Sequence, residues 1–528
     1  LESDNRYRPG NNIYVGIFEG GIPMKDWMVV TAITSAYLLM VLIIGIKARR
    51  KETGTSLDSY IADGRSIGLF VLFFIMGAEI FSAFAFLGGP GWTYSKGAPG
   101  LYIIGYLGLG LIPLWVLGPK TARLGKKYGY LTQAELVSAR FQSKGLSALM
   151  AIISVGAFIP YLTIQIKGAG FLVDASTGGN IPFWLGSLIA FIVVAVYVFT
   201  SGLRGIGWTN VVQGIVMIAV AWIIGLAIPY KFYGGVTNMF HQIAAQAPDY
   251  LTLPGHHHAM SFAAFSSALV VSVIGLSMWP HIFSKSYSAN SEKTLKKTII
   301  LYPLYGYILI PIFFVGFAGI LVFAGHPLKQ SDTVLVKLIE RANFSPWLIG
   351  ILLSGALAAA MSTGANLAHT AASVIVRDFY VKLFKTKLKE RSLVMMTRIL
   401  VLTISLLSYL LALYSPSSLV SLLLIAYGGV VQFFPIIVAA FFWRRVTKAG
   451  AYAGLISGTL VMVYYSFFAP PLFDIHAGIL GLIVNVVVLF VVSLLTQPMP
   501  ETHINQFIED SKIPLDQIKP EEIVKAMQ

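Results

Sequence analysis

The chain has no cysteine among its 528 residues. That excludes disulfides and thiolate metal sites, though it says little about compartment. Charge is scarce too: 12% of residues are Asp, Glu, Lys or Arg, against 56% hydrophobic, and mean hydropathy is +0.76. Soluble domains carry about 25% charged residues, so this balance excludes one and implies an integral membrane protein. Acid is scarcer than base, with 23 carboxylates against 38 Lys and Arg and a net charge of +15. The basic residues are scattered over separate short loops, which argues against a nucleic-acid partner and for a topology signal. No paired metal ligands and no nucleophile–base motif stand out, which disfavours an intramembrane enzyme. His369 stands alone after "NLA", His281 follows a proline at an expected span end, and the histidines of "GHHHAM" (Gly255–Met260) do not share one helix face. Residues 1–24 are polar and mixed, so no cleavable signal peptide is expected.

What is present is length of apolar sequence. A helix needs roughly 20 apolar residues to cross the hydrocarbon core. Thirteen such runs are read, near 26–46, 67–94, 100–118, 146–170, 182–200, 208–228, 259–282, 299–324, 347–376, 399–414, 417–443, 450–468 and 476–496. An odd number puts the termini on opposite sides. Most of the Lys and Arg fall in the loops after odd-numbered runs and in the C-terminal tail, so the N-terminus is expected outside and the C-terminus in the cytosol. The tail is expected to form a short helix within "PLDQIKPEEIVKAMQ".

Against this background the polar residues inside runs stand out. By the span map Glu79 is the one deep carboxylate, and Asp378 sits at the cytoplasmic end of the ninth run. An ionised acid at the bilayer centre costs about 2.5–3.5 kcal/mol on insertion scales, so such residues face a cavity or a partner. Glu79 is a candidate coupling group, or alternatively a protonated or paired acid tying helices together. Lys167 either neutralises Glu79, attracts an anionic substrate, or snorkels to the outer surface. One deep acid and one lysine do not make the chain of ionisable groups expected of an ion-translocating subunit of a larger complex.

Two runs carry breaks. "GGPG" (Gly88–Gly91) interrupts the second, and "VIGLSMWPHIF", with Gly275 and Pro280, the seventh. Proline lacks an N–H and leaves a carbonyl without its helical donor. Unwound backbone at membrane depth survives only inside protein or beside water. Interrupted helices five spans apart fit inverted repeats over runs two to six and seven to eleven, with binding at the breaks. In the ninth run Ala359, Ser362 and Thr363 share one helix face. The two hydroxyls offer oxygens to a hard cation such as sodium, or bond their own helix and allow close packing.

Four stretches together carry a resemblance: "SGLRGIGWTNVVQG" (Ser201–Gly214), "MWPHIF" (Met278–Phe283), "LAAAMSTGANL" (Leu357–Leu367) and "QFFPIIVAAFFWRRVTKAGAYAGLISG" (Gln432–Gly458). The chain resembles the sodium/solute symporters, which include bacterial proline, pantothenate, monocarboxylate and sugar co-transporters. The resemblance implies an all-α membrane protein of about thirteen transmembrane helices, with a leucine-transporter-like 5+5 inverted repeat and two broken helices. It divides the chain into an extracellular segment (1–25), a first helix and cytoplasmic loop (26–66), two five-helix repeats (67–258 and 259–446), two peripheral helices (447–497) and a cytoplasmic tail (498–528). It implies sodium-coupled uptake of a small organic solute across the plasma membrane, with no cofactor beyond the coupling ion. Its sodium site would use the carbonyls of Ala78, Phe81 and Ala359 and the hydroxyls of Ser362 and Thr363. By family position Ser82, Gln165, Ser277, Trp279 and Tyr427 would line the substrate site. Many sodium-coupled members have Asp in "WTD" on the ion's exit route where this chain has Asn210, which keeps proton coupling open, with Glu79 as the titratable group. Lys167 and "WPHIF" lean toward a monocarboxylate, with proline, pantothenate or a sugar as alternatives.

Overall fold

The computed structural model describes residues 24–48, 60, 67–78, 81–384, 389–414 and 417–518. Among the described residues the chain is helical and forms no β-strand. The physical reason is that apolar runs in lipid must satisfy every backbone group within the segment. In chain order, α1 (Met24–Lys47) and α2 (Leu69–Ala78) precede a wide π-turn over Phe84–Gly88 that leads into α3 (Gly89–Lys96). Then come α4 (Tyr102–Leu109), α5 (Ile112–Tyr128), α6 (Gln133–Arg140), α7 (Lys144–Ser176), α8 (Phe183–Tyr233) and α9 (Val236–Gln246). The second half holds α10 (Phe262–Met278), α11 (Pro280–Ser288), α12 (Glu292–Ile308), α13 (Ile310–Val322), α14 (Val334–Arg341) and α15 (Pro346–Val374). It ends with α16 (Glu390–Tyr414), α17 (Leu419–Val430), α18 (Phe433–Phe442), α19 (Lys448–Phe467), α20 (Ala477–Leu495) and α21 (Glu501–Asp510).

Among the described residues each predicted run is mostly helical. By length and hydropathy alone, nine described helices can cross a membrane, or ten if the pair α10–α11, bent by 47°, counts as one span. Two predicted runs, 182–200 and 208–228, merge into α8 across a kink at Gly202, whose φ is 56°. Glycine is required there, because a β-carbon would come within 2.7 Å of the Tyr60 ring.

The first break is not where the sequence put it. Gly88–Gly91 lies within helical turns; α2 ends at Ala78, Phe81 and Ser82 form a bend, and helix resumes at Ala83. Glu79 lies outside the described residues. The glycines serve close packing instead: a β-carbon at Gly89 would meet the Phe313 ring at 2.8 Å, and one at Gly91 would meet Asp332 at 2.9 Å. Pro90 is tolerated because it sits in the first turn of α3. The second break falls as expected, between Met278 and Pro280, with Trp279 at φ −56° and ψ 126°.

α15 is the central helix: 89% of its most apolar window is buried. It packs against α1, α7, α8 and α16. α19 and α20 associate through small residues, with Gly450, Gly454 and Gly458 facing Leu489, Asn485 and Gly481. Large apolar side chains such as Ile399, Leu406, Val487 and Phe490 remain exposed, as a lipid-facing surface requires. The two broken helices are tied at one end: the Ile67 N–H donates to the Ser288 carbonyl at 3.3 Å, and the Asn290 N–H to the Ile67 carbonyl at 3.2 Å.

The tail's helix lies upstream of the predicted "PLDQIKPEEIVKAMQ", as α21, and a single 3₁₀ turn covers Leu515–Gln517. Residues 519–528 lie outside the described residues. Arg123 clasps the Glu292 carboxylate with two bonds of 2.8 Å and also reaches the Ser511 carbonyl at 3.1 Å. Lys126 donates to the Leu515 carbonyl at 2.8 Å, and Lys127 pairs with Asp510 at 2.7 Å. The tail is thereby fastened to α5 and α12.

The segment between α5 and α7, which falls in the loop after the third predicted run, holds a buried polar knot. Thr132 and Glu135 form a reciprocal capping box at the start of α6. Glu135 Oε1 accepts from Arg377 Nε at 2.7 Å, and Asp378 accepts from the Thr132 hydroxyl at 2.5 Å. Asp378 is thus fully buried rather than at a solvated span end. Burial pushes the Glu135 carboxyl up, but Arg377, Lys382 and the Leu131 N–H outweigh it and hold the group below the usual carboxylate range. Its stabilisation is therefore complete above about pH 4.3, the unperturbed value, and is lost as pH falls through the folded value. Glu135→Gln leaves the Arg377 guanidinium without its counter-charge. The expected loss is about 3–5 kcal/mol of stability near neutral pH. Melting of the detergent-solubilised variant beside the wild type, from pH 7 down to about pH 3, checks it: the gap stays constant to about pH 4.3 and narrows below that as acid protonates Glu135.

Candidate functional site

The bend at Phe81 and Ser82 interrupts the helical ladder, so polar backbone groups beside it need partners from elsewhere in the protein. Side chains from α15 and α7 meet both needs. The Ser362 hydroxyl lies 3.0 Å from the Ala78 carbonyl and 3.1 Å from the Ala359 carbonyl. A hydroxyl has one proton, so it serves only one of those carbonyls at a time. Three oxygens thus converge around a single hydroxyl proton, while the Ala359 carbonyl also keeps its place in the hydrogen bonding of α15. Thr363 is the next residue and is fully buried. Of the five residues predicted as ion ligands, the Ala78 and Ala359 carbonyls and the Ser362 hydroxyl are brought into direct contact, while Phe81 lies in the bend three residues beyond Ala78 with its ring 4.8 Å from that of Tyr305.

The Ala359 carbonyl reaches this cluster because α15 presents it on the same face as Ser362. On the other side, Gln165 of α7 accepts from the Ala83 N–H at 2.9 Å through Oε1 and donates to the Tyr161 carbonyl at 3.3 Å through Nε2. Ser82 caps the resumed helix, its hydroxyl accepting from the Phe84 N–H at 3.2 Å. Both residues were predicted as substrate contacts, and both are engaged with the backbone of the break. The close approach of α7 is possible because position 168 is glycine: a β-carbon there would sit 2.4 Å from that of Ala83.

The same helix supports the second break. The rings of Phe158 and Tyr161 lie 5.6 and 5.0 Å from Trp279, and Tyr427 of α17 lies 5.8 Å away on another side. Tyr106 of α4 extends the cluster, 5.7 Å from Tyr427. Ser277 is buried and bonds its own helix, donating to the Ile274 carbonyl at 2.9 Å. So Trp279 and Tyr427 come together as predicted, and Tyr161 links them to Gln165 at the first break. His281, expected at a solvated span end, is instead buried against Trp279, because the helix continues past Pro280 to Ser288.

Lys167 donates to the Ser417 carbonyl at 3.0 Å. Beside it lies a group that the sequence reading missed, Asp332, buried in the turn before α14, whose Oδ2 accepts from the Leu419 N–H at 2.9 Å and so caps α17. Burial pushes the Asp332 carboxyl up, partly offset by the Leu419 N–H and Lys167. Asn210 is fully buried, and neither polar atom of its side chain finds a hydrogen-bond partner among the described residues. In the His-rich loop, His256 is joined to Asp249 at 2.6 Å and stacks on Tyr250. Another missed residue is Lys285, which the span map left in a loop; it is buried on α11, four residues after His281. Reading the helix on past Pro280 would have placed both on one face.

Two interrupted helices meeting across a shared support, with an oxygen cluster at one break and aromatic walls at the other, define a membrane carrier of the leucine-transporter-like class. The profile of the Sodium:solute symporter family matches residues 60–458, and the chain belongs to that family. It is 34% identical over 476 residues to the uncharacterized symporter YhjB of Bacillus subtilis, covering 87% of this chain and 96% of that one. It is 29% identical over 489 residues to the sodium/proline symporter of Staphylococcus aureus, covering 88% and 92%. Among solved structures it is similar to a Na+-coupled sialic acid symporter in a substrate-bound outward-open state, with TM-score 0.75, 18% identity, and 90% and 99% of the two chains covered. The nucleobase-cation-symport-1 transporter Mhp1 shares the fold at TM-score 0.55 and 15% identity, with 87% and 99% covered. The chain is therefore a multi-pass membrane transporter of the sodium symporter class.

Gln165→Leu removes the acceptor for the Ala83 N–H at similar volume. A buried donor left unsatisfied costs about 1–3 kcal/mol. The expected result is a lower melting temperature together with weakened uptake, and Gln165→Glu, which keeps an acceptor oxygen, restores more of both. Parallel melting and uptake measurements check this.

Proposed function

We propose that the protein takes up a small organic solute together with sodium, by alternating access, with the ion held at the first break. The observation that carries this reading is the Ser362 hydroxyl set between the Ala78 and Ala359 carbonyls. Hydroxyl and carbonyl oxygens are the ligands a hard monovalent cation takes in place of its hydration shell. Thr363 and the Phe81 carbonyl complete the set in this proposal. A cation shared by α2 and α15 draws the two segments together, so sodium favours the arrangement that also builds the solute site, and differential binding couples the fluxes. The membrane potential supplies about 2.3 kcal/mol per charge per 100 mV. At about 1.4 kcal/mol per tenfold, one ion supports accumulation of a solute without net charge, such as an amino-acid zwitterion, by tens-fold; with a monocarboxylate anion a single sodium moves no net charge, and the sodium gradient alone supplies the drive.

The solute is read as a small carboxylate, either a monocarboxylate or an amino acid such as proline. The similarity to a sodium/proline symporter supports the second. The excess of Lys and Arg in the loops after odd-numbered spans supports an outside N-terminus and a cytosolic C-terminus in the plasma membrane.

Uptake of a panel of labelled solutes into proteoliposomes, under sodium and proton gradients imposed separately, tests this reading. Sodium-driven accumulation of a carboxylate is the expected outcome, and accumulation driven by protons alone overturns the sodium coupling. The double substitution Ser362→Ala and Thr363→Ala is expected to abolish sodium-driven uptake in protein that still inserts and melts cooperatively. Unchanged sodium dependence would remove the proposed ion site.

A further inference from the structure

The segment after α20 makes a run of contacts that uptake at the two breaks does not need. It leaves α20 at a fixed point, where the Arg445 guanidinium donates to the Leu494 carbonyl at 3.0 Å and to the Thr496 carbonyl at 2.9 Å. α21 then passes across α6 and α18. His503 Nε2 lies 3.1 Å from the Arg140 carbonyl at the end of α6, and the Phe507 ring lies 5.8 Å from that of Phe441 on α18. Beyond α21 the chain crosses to α5. Asp510 pairs with Lys127 at 2.7 Å and accepts from the Tyr128 hydroxyl, and Lys126 reaches the Leu515 carbonyl at 2.8 Å. The same segment touches α12, where the Leu515 N–H donates to Glu292 Oε1 at 3.1 Å.

These anchors fall in two groups. α6 packs on α18, whereas α5 packs on α11 and on α12. α11 is one half of the second interrupted helix, and a short link joins it to α12. Between the groups runs a seam. Tyr287 of α11 donates across it to the Thr132 carbonyl, just before α6, at 3.0 Å. A small cavity of about 20 Å³ lies in it, lined in part by Thr132, Ser284 of α11 and Ser373 beside them on α15. The two ends of the tail are held differently. On the α6–α18 side Ile504, Phe507 and Ile508 are buried. On the α5 side there is one small apolar contact, of Leu515 and Ile518 with Ala122, and the rest is charged or polar. Lys127 keeps 22% of its side chain exposed. Partly exposed ion pairs are weak and exchange readily with water, so this end can let go while the other stays packed.

We propose that residues 501–518 are a strap across the face that the basic loops assign to the cytosol: rooted on α6 and α18 and latched to α5 and α12 through Asp510 and Leu515, they hold the seam between α11 and α6 shut and slow its opening. Asp510 and Lys127 are positioning residues of this latch, acting through the helices they tie together. The inference goes beyond the uptake reading and rests on its alternating access, but not on the identity of ion or solute.

The absence of native cysteine provides the test. Ser373→Cys places a single thiol in the seam, at a position 2% exposed, and its labelling rate by a water-soluble maleimide is read in the purified full-length protein. In this background Asp510→Lys, which faces Lys127 with a second cation, is expected to raise the rate about fivefold or more, the scale of one partly exposed ion pair turned repulsive. Exchanging the pair, Lys127→Glu together with Asp510→Lys, is expected to return the rate to within about twofold of the unaltered tail. Recovery on exchange is what a latch gives and structural damage does not. Where Asp510→Lys fails to melt cooperatively, Lys127→Glu alone opposes Asp510 in the same way and takes its place. An unchanged rate in the folded single variant, or a raised rate that the exchange does not lower, overturns the strap. Neither sodium nor solute enters the measurement, so loss of the proposed ion site would leave the result standing.

Discussion

A helix interrupted inside a membrane leaves polar backbone groups that lipid cannot satisfy, and the protein is organised around meeting that demand. At the first break Ser362 supplies a donor to the carbonyl that α2 leaves behind, and Gln165 supplies an acceptor to the N–H that opens the next helical segment. Each unmet group would cost several kcal/mol in hydrocarbon. The break therefore persists only while α15 and α7 press against it, which explains why α15 is the most enclosed span and why Gly168 is needed for α7 to come near.

The same arrangement joins the two breaks. Gln165 and Tyr161 are one turn apart on α7; one caps the first interruption, and the other packs on Trp279 at the second. Both interruptions thus lean on one helix. That is a physical basis for two ligands sensing each other without touching, since each biases the packing of a shared neighbour.

Much of this was legible in the sequence. The apolar runs lie on helix over most of their described length, because length and hydropathy decide that directly. Pro280 marked the second break, because a missing N–H is a local property. The first break was misplaced because Gly-Gly-Pro-Gly suggests irregular backbone, whereas here the glycines answer tertiary crowding by Phe313 and Asp332 that no local pattern displays. Ser362 was found through its spacing with Ala359 and the family motif. Lys285 and Asp332 were missed for a common reason: charges beside a proline or in a connecting turn look solvated, and only the packing of distant segments buries them. Glu135 had a readable signal in the Thr132–Glu135 capping box, though its partner Arg377 lies more than two hundred residues away.

The main-chain bonds at Ile67, Ser288 and Asn290 have a mechanical corollary. They pin the foot of one interrupted helix to the foot of the other, so the pair cannot part there without breaking both bonds. Elsewhere among the described residues the two segments are held only by side-chain packing, so this joint is the point at which backbone ties one interrupted helix to the other.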